Sequence, residues 1–260
     1  MFQTLAGLPV LAGATLFVGL VVLISVGGAV LFHRLTPHAL LSEHNEIAGF
    51  VFAVVGVVYA VLLAFFAIGV WERFDAAEER TYDEASRLIA VYRKADLFPQ
   101  GHFLRAELRT YTDLVINHEW QEMESGHHSR EAEASAERIA FQVRHLAVRN
   151  AAQQNVHAAM IQSIDEALND REDRTLRSAF GINRFLWDIL IAGALATVLF
   201  AYLFAFRNVW SIVAIVGLLA FMLALVLYLI AAVNYPFRGE IRVGPEAFEN
   251  ALAIFKSIGP

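Results

Sequence analysis

The chain has 260 residues, 57 % of them hydrophobic, a mean hydropathy of +0.51 and a formal net charge of −6. A chain this apolar reads as a membrane protein, and the absence of a domain-wide basic face excludes nucleic acid as a partner. Cysteine is absent, so disulfides, thiolate metal sites and a cysteine nucleophile are excluded too.

Val10 to Phe32 is the first uncharged run. No Lys or Arg precedes it and it is too long for a signal peptide, so it is expected to span a bilayer. Its Gly13, Gly19, Gly27, Gly28 and Ala29 would let a neighbouring helix approach closely. His33 to Glu46 is a short polar connector in which Pro37 ends any helix. The second uncharged run, Ile47 to Val70, has no breaker after it. Trp71, Phe74, Glu78, Tyr82, Ala85, Leu88 and Tyr92 carry a helical period into charged sequence. One long helix is expected here, half in lipid and half in water.

The segment 71–185 is polar, with 15 Lys/Arg and 20 Asp/Glu, and its periodicity is helical. Phe98-Pro99-Gln100-Gly101 makes a turn. Phe103, Leu104, Leu108, Tyr111, Val115 and His118 predict a helix closing near Met123, and Ser125-Gly126 breaks it. A helix from Ser129 or Arg130 follows, with Ala136, Ile139, Ala140, Val143 and Leu146 on one face. Val156, Ala159, Met160, Ile164 and Leu168 continue beyond a break near Asn150, and a last piece runs from Arg171 to Phe180. Leu186 to Phe206 is the third span, Arg207-Asn208 a tight turn, and Val209 to Val233 the fourth span. In the tail, Pro245-Glu246 is a helix start. Ala247, Phe248, Ala251, Leu252, Phe255 and Ile258 form an apolar face expected to pack on the polar segment, because the opposite face is not basic.

The fold class that follows is an all-α membrane protein. Four transmembrane helices accompany a helical cytosolic domain, and the second helix extends into the cytosol. The divisions fall at 1–70, 71–185, 186–233 and 234–260. Of the 20 Lys/Arg, 18 lie in the middle segment and the tail. The positive-inside rule therefore places both with the N-terminus in the cytoplasm.

Along the second span, Gly49, Phe52, Gly56, Tyr59, Leu63, Phe66 and Val70 recur at three and four, with Asn45 before them and Arg73 after. They are read either as a pore wall, narrowest at Tyr59, Leu63 and Phe66, or as a close helix–helix seam with Tyr59 bonded to a neighbour's backbone. The opposite face, Val54, Val57, Val61, Ala64 and Ile68, is read as filler. Asn45, Glu43 and Glu46 would stand at the mouth, where acidic rings favour cations, or Glu46 simply suits a helix N-terminus. Glu72, Asp75, Glu78 and Glu79, interleaved with Arg73 and Arg80, read as a solvated or paired face. Asp188, two residues into its span, is a possible gating group or an interfacial one. No histidine pair has zinc spacing, and no nucleophile elbow or P-loop occurs. No metal, cofactor or enzymatic activity is expected.

Four stretches carry a resemblance. They are Gly49-Phe50-x-Phe52-x-x-x-Gly56-x-x-Tyr59-x-Val61-Leu62-Leu63-Ala64-Phe65, then Trp71-Glu72-Arg73, then Glu119-Trp120-x-x-Met123, then Tyr235-Pro236-Phe237-Arg238-Gly239-x-Ile241-x-Val243-x-Pro245-Glu246-Ala247-Phe248. Together they resemble the bestrophin-like membrane proteins of bacteria and plants. The resemblance implies a distant relation to bestrophins, homopentameric ion channels with four membrane helices and a pore lined by the second. The neck motif and the acidic Ca²⁺ cluster of bestrophins do not carry over residue by residue, and the sign of the ion stays open. The expected function is a bestrophin-like oligomeric channel in a bacterial plasma membrane, cation conduction slightly favoured over anion, with inorganic ions and the lipid bilayer as partners. The alternative is a membrane-anchored scaffold or signalling module whose cytosolic helices bind a partner.

Overall fold

The structure, a computed structural model, describes residues 10–36, 45–204 and 208–259, and of Asn45, Glu46 and Ile47 the backbone alone. Every regular element among them is helical. The chain forms two compact units, Met1–Glu72 with Ile182–Asn234, and Arg73–Gly181 with Tyr235–Pro260.

The first unit contains α1 (Val10–Leu35), the first part of α2 (Asn45–Ala95), α7 (Arg184–Ala201) and α8 (Val209–Val233). All four are long and apolar enough to cross a membrane. Asn183 and Asn208 cap α7 and α8, their side chains accepting from the Phe185 and Trp210 amides at 3.0 Å, so each span begins with an orphan donor satisfied. The third span ends at Ala201, short of the expected Phe206. Arg207 of the expected tight turn lies outside the described residues. α8 packs along α1, burying Phe17, Val18 and Ala29 against Val216 and Ala224.

The second unit holds the rest of α2, then α3 (Gly101–Leu114), a π turn (Val115–Glu119), α4 (Trp120–Glu124), α5 (Arg130–Arg144), α6 (Ala151–Ala179) and the tail helix α9 (Glu246–Ile258). Gly126, at φ +80°, closes α4. Its amide bonds the Met123 carbonyl and the His127 amide bonds that of Glu122, both at 3.0 Å, the paired bonds of a left-handed C-cap. Ser129 and Asn150 cap α5 and α6 with their side-chain oxygens. α6 is one helix through Ala179, so the separate piece expected from Arg171 is its last two turns. The tail packs as expected, with Ala247, Phe248, Ala251 and Phe255 buried in the unit's core.

The π turn shifts the helical face. Periodicity places His118 inward after Leu104, Leu108, Tyr111 and Val115. One extra residue per π turn leaves His118 exposed and turns Glu119 into the core. Phe103 is exposed as well.

The candidate pore helix and its supports

In the first unit, three tyrosines tie the spans together. The Tyr59 hydroxyl donates to the Leu190 carbonyl at 2.7 Å, Tyr202 to Ser25 at 2.7 Å and Tyr228 to Val10 at 3.0 Å. A phenol in hydrocarbon must find such an acceptor. The Tyr59 ring lies against Gly193 of α7, where a Cβ would overlap it.

This geometry divides the expected pore wall. Tyr59, Leu63 and Val70 are buried inside the protomer. Phe52 packs on Phe200 and Phe204 at 5.7 and 5.4 Å between ring centroids, and Gly49 faces Phe204. Gly56 and Phe66 are half-buried on the flanks. The Tyr59 bond to a neighbouring backbone carbonyl is the one the helix–helix reading expects, and Tyr59, Leu63 and Val70 are the covered members of the seam. The face read as filler, Val54, Val57, Val61, Ala64 and Ile68, is the open one; Phe65 joins it to give a three-and-four stripe, with Val57 64 % and Phe65 71 % exposed. The second span is also the least covered of the four. In its most apolar stretch 11 % is buried, against 22, 22 and 33 % in the others.

Of the mouth residues, Glu43 lies outside the described residues, as do the side chains of Asn45 and Glu46. Asp188 is exposed in the first turns of α7. Beyond Ile68 the same helical spacing brings Glu72, Asp75 and Glu79, all exposed. The interleaved arginines are engaged elsewhere. Arg73 donates to the Phe180 carbonyl at 2.6 Å, and Arg80 pairs with Asp170 at 3.2 Å and Asp173 at 3.7 Å. No ion pair among the described residues takes up Glu72, Asp75, Glu78 or Glu79, so these are solvated rather than paired.

The second unit encloses an ion cluster that periodicity did not single out. Arg174 is fully buried, its Nε 2.8 Å from Glu84 Oε2 and its Nη2 3.1 Å from Glu119 Oε2. Arg171 holds the other Glu119 oxygen at 2.6 Å, and the Tyr111 hydroxyl donates to Glu84 at 2.5 Å. The Arg174 guanidinium also lies over Trp120 and Phe248, 5.1 and 5.3 Å from the ring centroids. Two carboxylates and two guanidinia balance, as buried charge requires. Burial pushes Glu84 above the ordinary glutamate range although Arg174 opposes it. Burial lowers the Arg174 pKa, but Glu84 and Glu119 outweigh that and raise it. Glu84 lies on α2, Glu119 on the π turn and both arginines on α6, so one cluster pins three elements. The cue was present: two arginines three apart that continue the helix face of Met160, Ile164 and Ala167.

The Tyr-Pro-Phe-Arg-Gly stretch closes the same unit. Phe237 is fully buried and meets Trp120 edge-on at 5.9 Å. Arg238 stacks over Tyr235 at 4.6 Å and donates to the Ser178 carbonyl at 3.0 Å. Gly239 takes φ +82°, a conformation that favours glycine.

A helical protein with four candidate spans and a polar helical unit threaded by the second span's helix is the architecture of a multi-pass membrane protein. The chain belongs to the bestrophin-like domain family, whose sequence profile matches residues 19–248. Among solved structures it is similar to a membrane protein carrying a single substitution, at 11 % identity and a TM-score of 0.70, over 94 % of this chain and 99 % of that one. It is also similar to the bacterial bestrophin homolog from Klebsiella pneumoniae. One structure of that protein gives 12 % identity and a TM-score of 0.67 over 92 and 97 % of the two chains. A point variant of it gives 12 % and 0.65 over 94 and 99 %. At such identities the likeness carries the fold. No curated protein matches the chain.

Proposed function

We propose that the chain assembles into an oligomeric ion channel, a pentamer by family resemblance, with α2 around the axis. The observation that carries this reading is the division of α2. One face packs on α7 and the opposite apolar face is exposed among the described residues. Val54, Val57, Val61, Phe65 and Ile68 then form the wall. An apolar ring there excludes water, because it offers no hydrogen bonds to replace those an ion loses. Cations are favoured, because Glu72, Asp75 and Glu79 follow on the same face of one uninterrupted helix, free of the arginines beside them. Both termini and the polar unit are assigned to the cytoplasmic side, which the distribution of Lys and Arg supports, of a plasma membrane that is bacterial by family resemblance. Asp188, exposed near the start of α7, is a candidate gating group, and α2 begins at Asn45, at the end of the span away from Glu72.

Planar-bilayer recording from purified protein under asymmetric salt tests the reading. Unitary currents that reverse toward the cation potential are expected. A pure oligomer that passes no current would refute the channel and leave the scaffold reading.

A further inference from the structure

Two of the three interspan tyrosines stand over a glycine three residues beyond the carbonyl they bond. Tyr59 bonds Leu190 and covers Gly193, and Tyr202 bonds Ser25 and covers Gly28. A Cβ at Gly28 would come within 2.8 Å of the Tyr202 oxygen, and one at Gly193 would overlap the Tyr59 ring. Gly19, Gly27, Gly56 and Gly69 have nothing within 4 Å of a Cβ. The two covered glycines are therefore sockets, and the others are not. The Tyr59 socket has a particular address. At about 100° per residue, Tyr59 lies about 160° round α2 from both Val57 and Val61, on the back of the turn that carries them.

We propose that Tyr59 and Gly193 are positioning residues that set how far the Val57–Val61 turn of α2 projects toward the axis. This rests on the pore reading. The ring is rigid and the glycine brings it against backbone, so the α2–α7 separation at that level is fixed by one contact. The hydroxyl bond to Leu190 fixes the depth along α7. Packed interiors transmit such displacements rather than absorb them. An added methyl at Gly193 moves the turn outward from α7 by about an ångström. Removing the ring lets it fall back. A dewetting constriction responds steeply to its radius, so the two changes have opposite signs.

The test is unitary conductance in planar bilayers. This per-channel readout does not move when a substitution merely lowers folding yield or channel number. Gly193→Ala is expected to lower it by at least about twofold, and Tyr59→Leu to raise it by a similar factor. Gly193→Ala with Tyr59→Leu is expected to return close to wild type, and Gly27→Ala to leave it unchanged. If Gly193→Ala alone yields no channels, Tyr59→Leu must restore them, and failure to do so overturns the proposal. Val61→Ser separates the two claims. If wild type conducts and Val61→Ser leaves conductance unchanged, the axis assignment fails. If Val61→Ser raises conductance while Gly193→Ala and Tyr59→Leu both keep the wild-type value, the axis stands and the socket is refuted.

Discussion

Removing Glu84 from the buried cluster has a cost that follows from its surroundings. Arg174 is fully buried, so water cannot replace the carboxylate that holds it at 2.8 and 3.2 Å. Glu119 remains, but it already answers to Arg171, and the cluster is left with one uncompensated positive charge. Breaking a buried pair in this way costs about 3–5 kcal/mol. At about 2–4 °C per kcal/mol for a chain approaching this length, Tm should fall by roughly 6–20 °C. Glu84→Gln and Arg174→Met leave opposite charges, whereas the double variant leaves Glu119 and Arg171 as a matched pair. The double variant should therefore be more stable than the sum of the singles by about 2 kcal/mol or more. Tyr111→Phe belongs in every variant and in the reference, so that the hydroxyl does not become an orphan of its own. Thermal unfolding followed by circular dichroism in one detergent gives the comparison. Single losses of a degree or two, or a double loss equal to the sum, would show that the four charges are not a coupled unit.

The remaining predictions concern conduction, topology and pH. Val57→Ala and Val61→Ser should widen or wet the constriction and raise unitary conductance. Leu63→Ser, on the packed face, should chiefly reduce stability, and conductance changes confined to Leu63 would return the axis to the packed seam. Glu72→Gln, Asp75→Asn and Glu79→Gln should each shift the reversal potential toward the anion, with Glu78→Gln, off the stripe, shifting it least; equal effects would deny the stripe. In this cysteine-free chain, Arg130→Cys should react with an impermeant maleimide only after permeabilisation, and labelling of intact cells would invert the topology. Because hydrogen bonds from Arg87 and Gln162 hold the Glu166 carboxyl below the ordinary glutamate range, the folded chain binds a proton there less tightly than the unfolded one. Stability relative to Glu166→Gln should therefore fall as pH falls from neutral into the carboxylate range, and hold as pH rises. Tm measured across that range checks the sign.

How far the sequence could be read depends on what each element needs. The four spans and the long α2 were legible because an uncharged run in lipid and an unbroken helical period need no knowledge of neighbours. The tail was legible for a similar reason, since Pro245-Glu246 and the Phe248, Ala251, Phe255 face specify a start and a side. His118 and Glu119 were not. A π turn adds one residue without any Gly or Pro to mark it, and every later position changes face. Glu84, Arg171 and Arg174 hid in plain view for another reason: on a polar helix a charged residue is the default, and only its burial is informative. The second span is the instructive case. Gly49, Phe52, Gly56, Tyr59, Leu63 and Phe66 are a mixed seam, while Val54, Val57, Val61 and Ile68 are plain aliphatics. Chemical variety allows a water-facing side. Variety is also what a close helix contact requires, because a ring needs a glycine opposite it and a hydroxyl needs a carbonyl. Gly193 supplies the glycine and Leu190 the carbonyl, both more than a hundred residues away. Period alone finds two faces of a helix, and the partner residue on another helix decides which of them is spoken for.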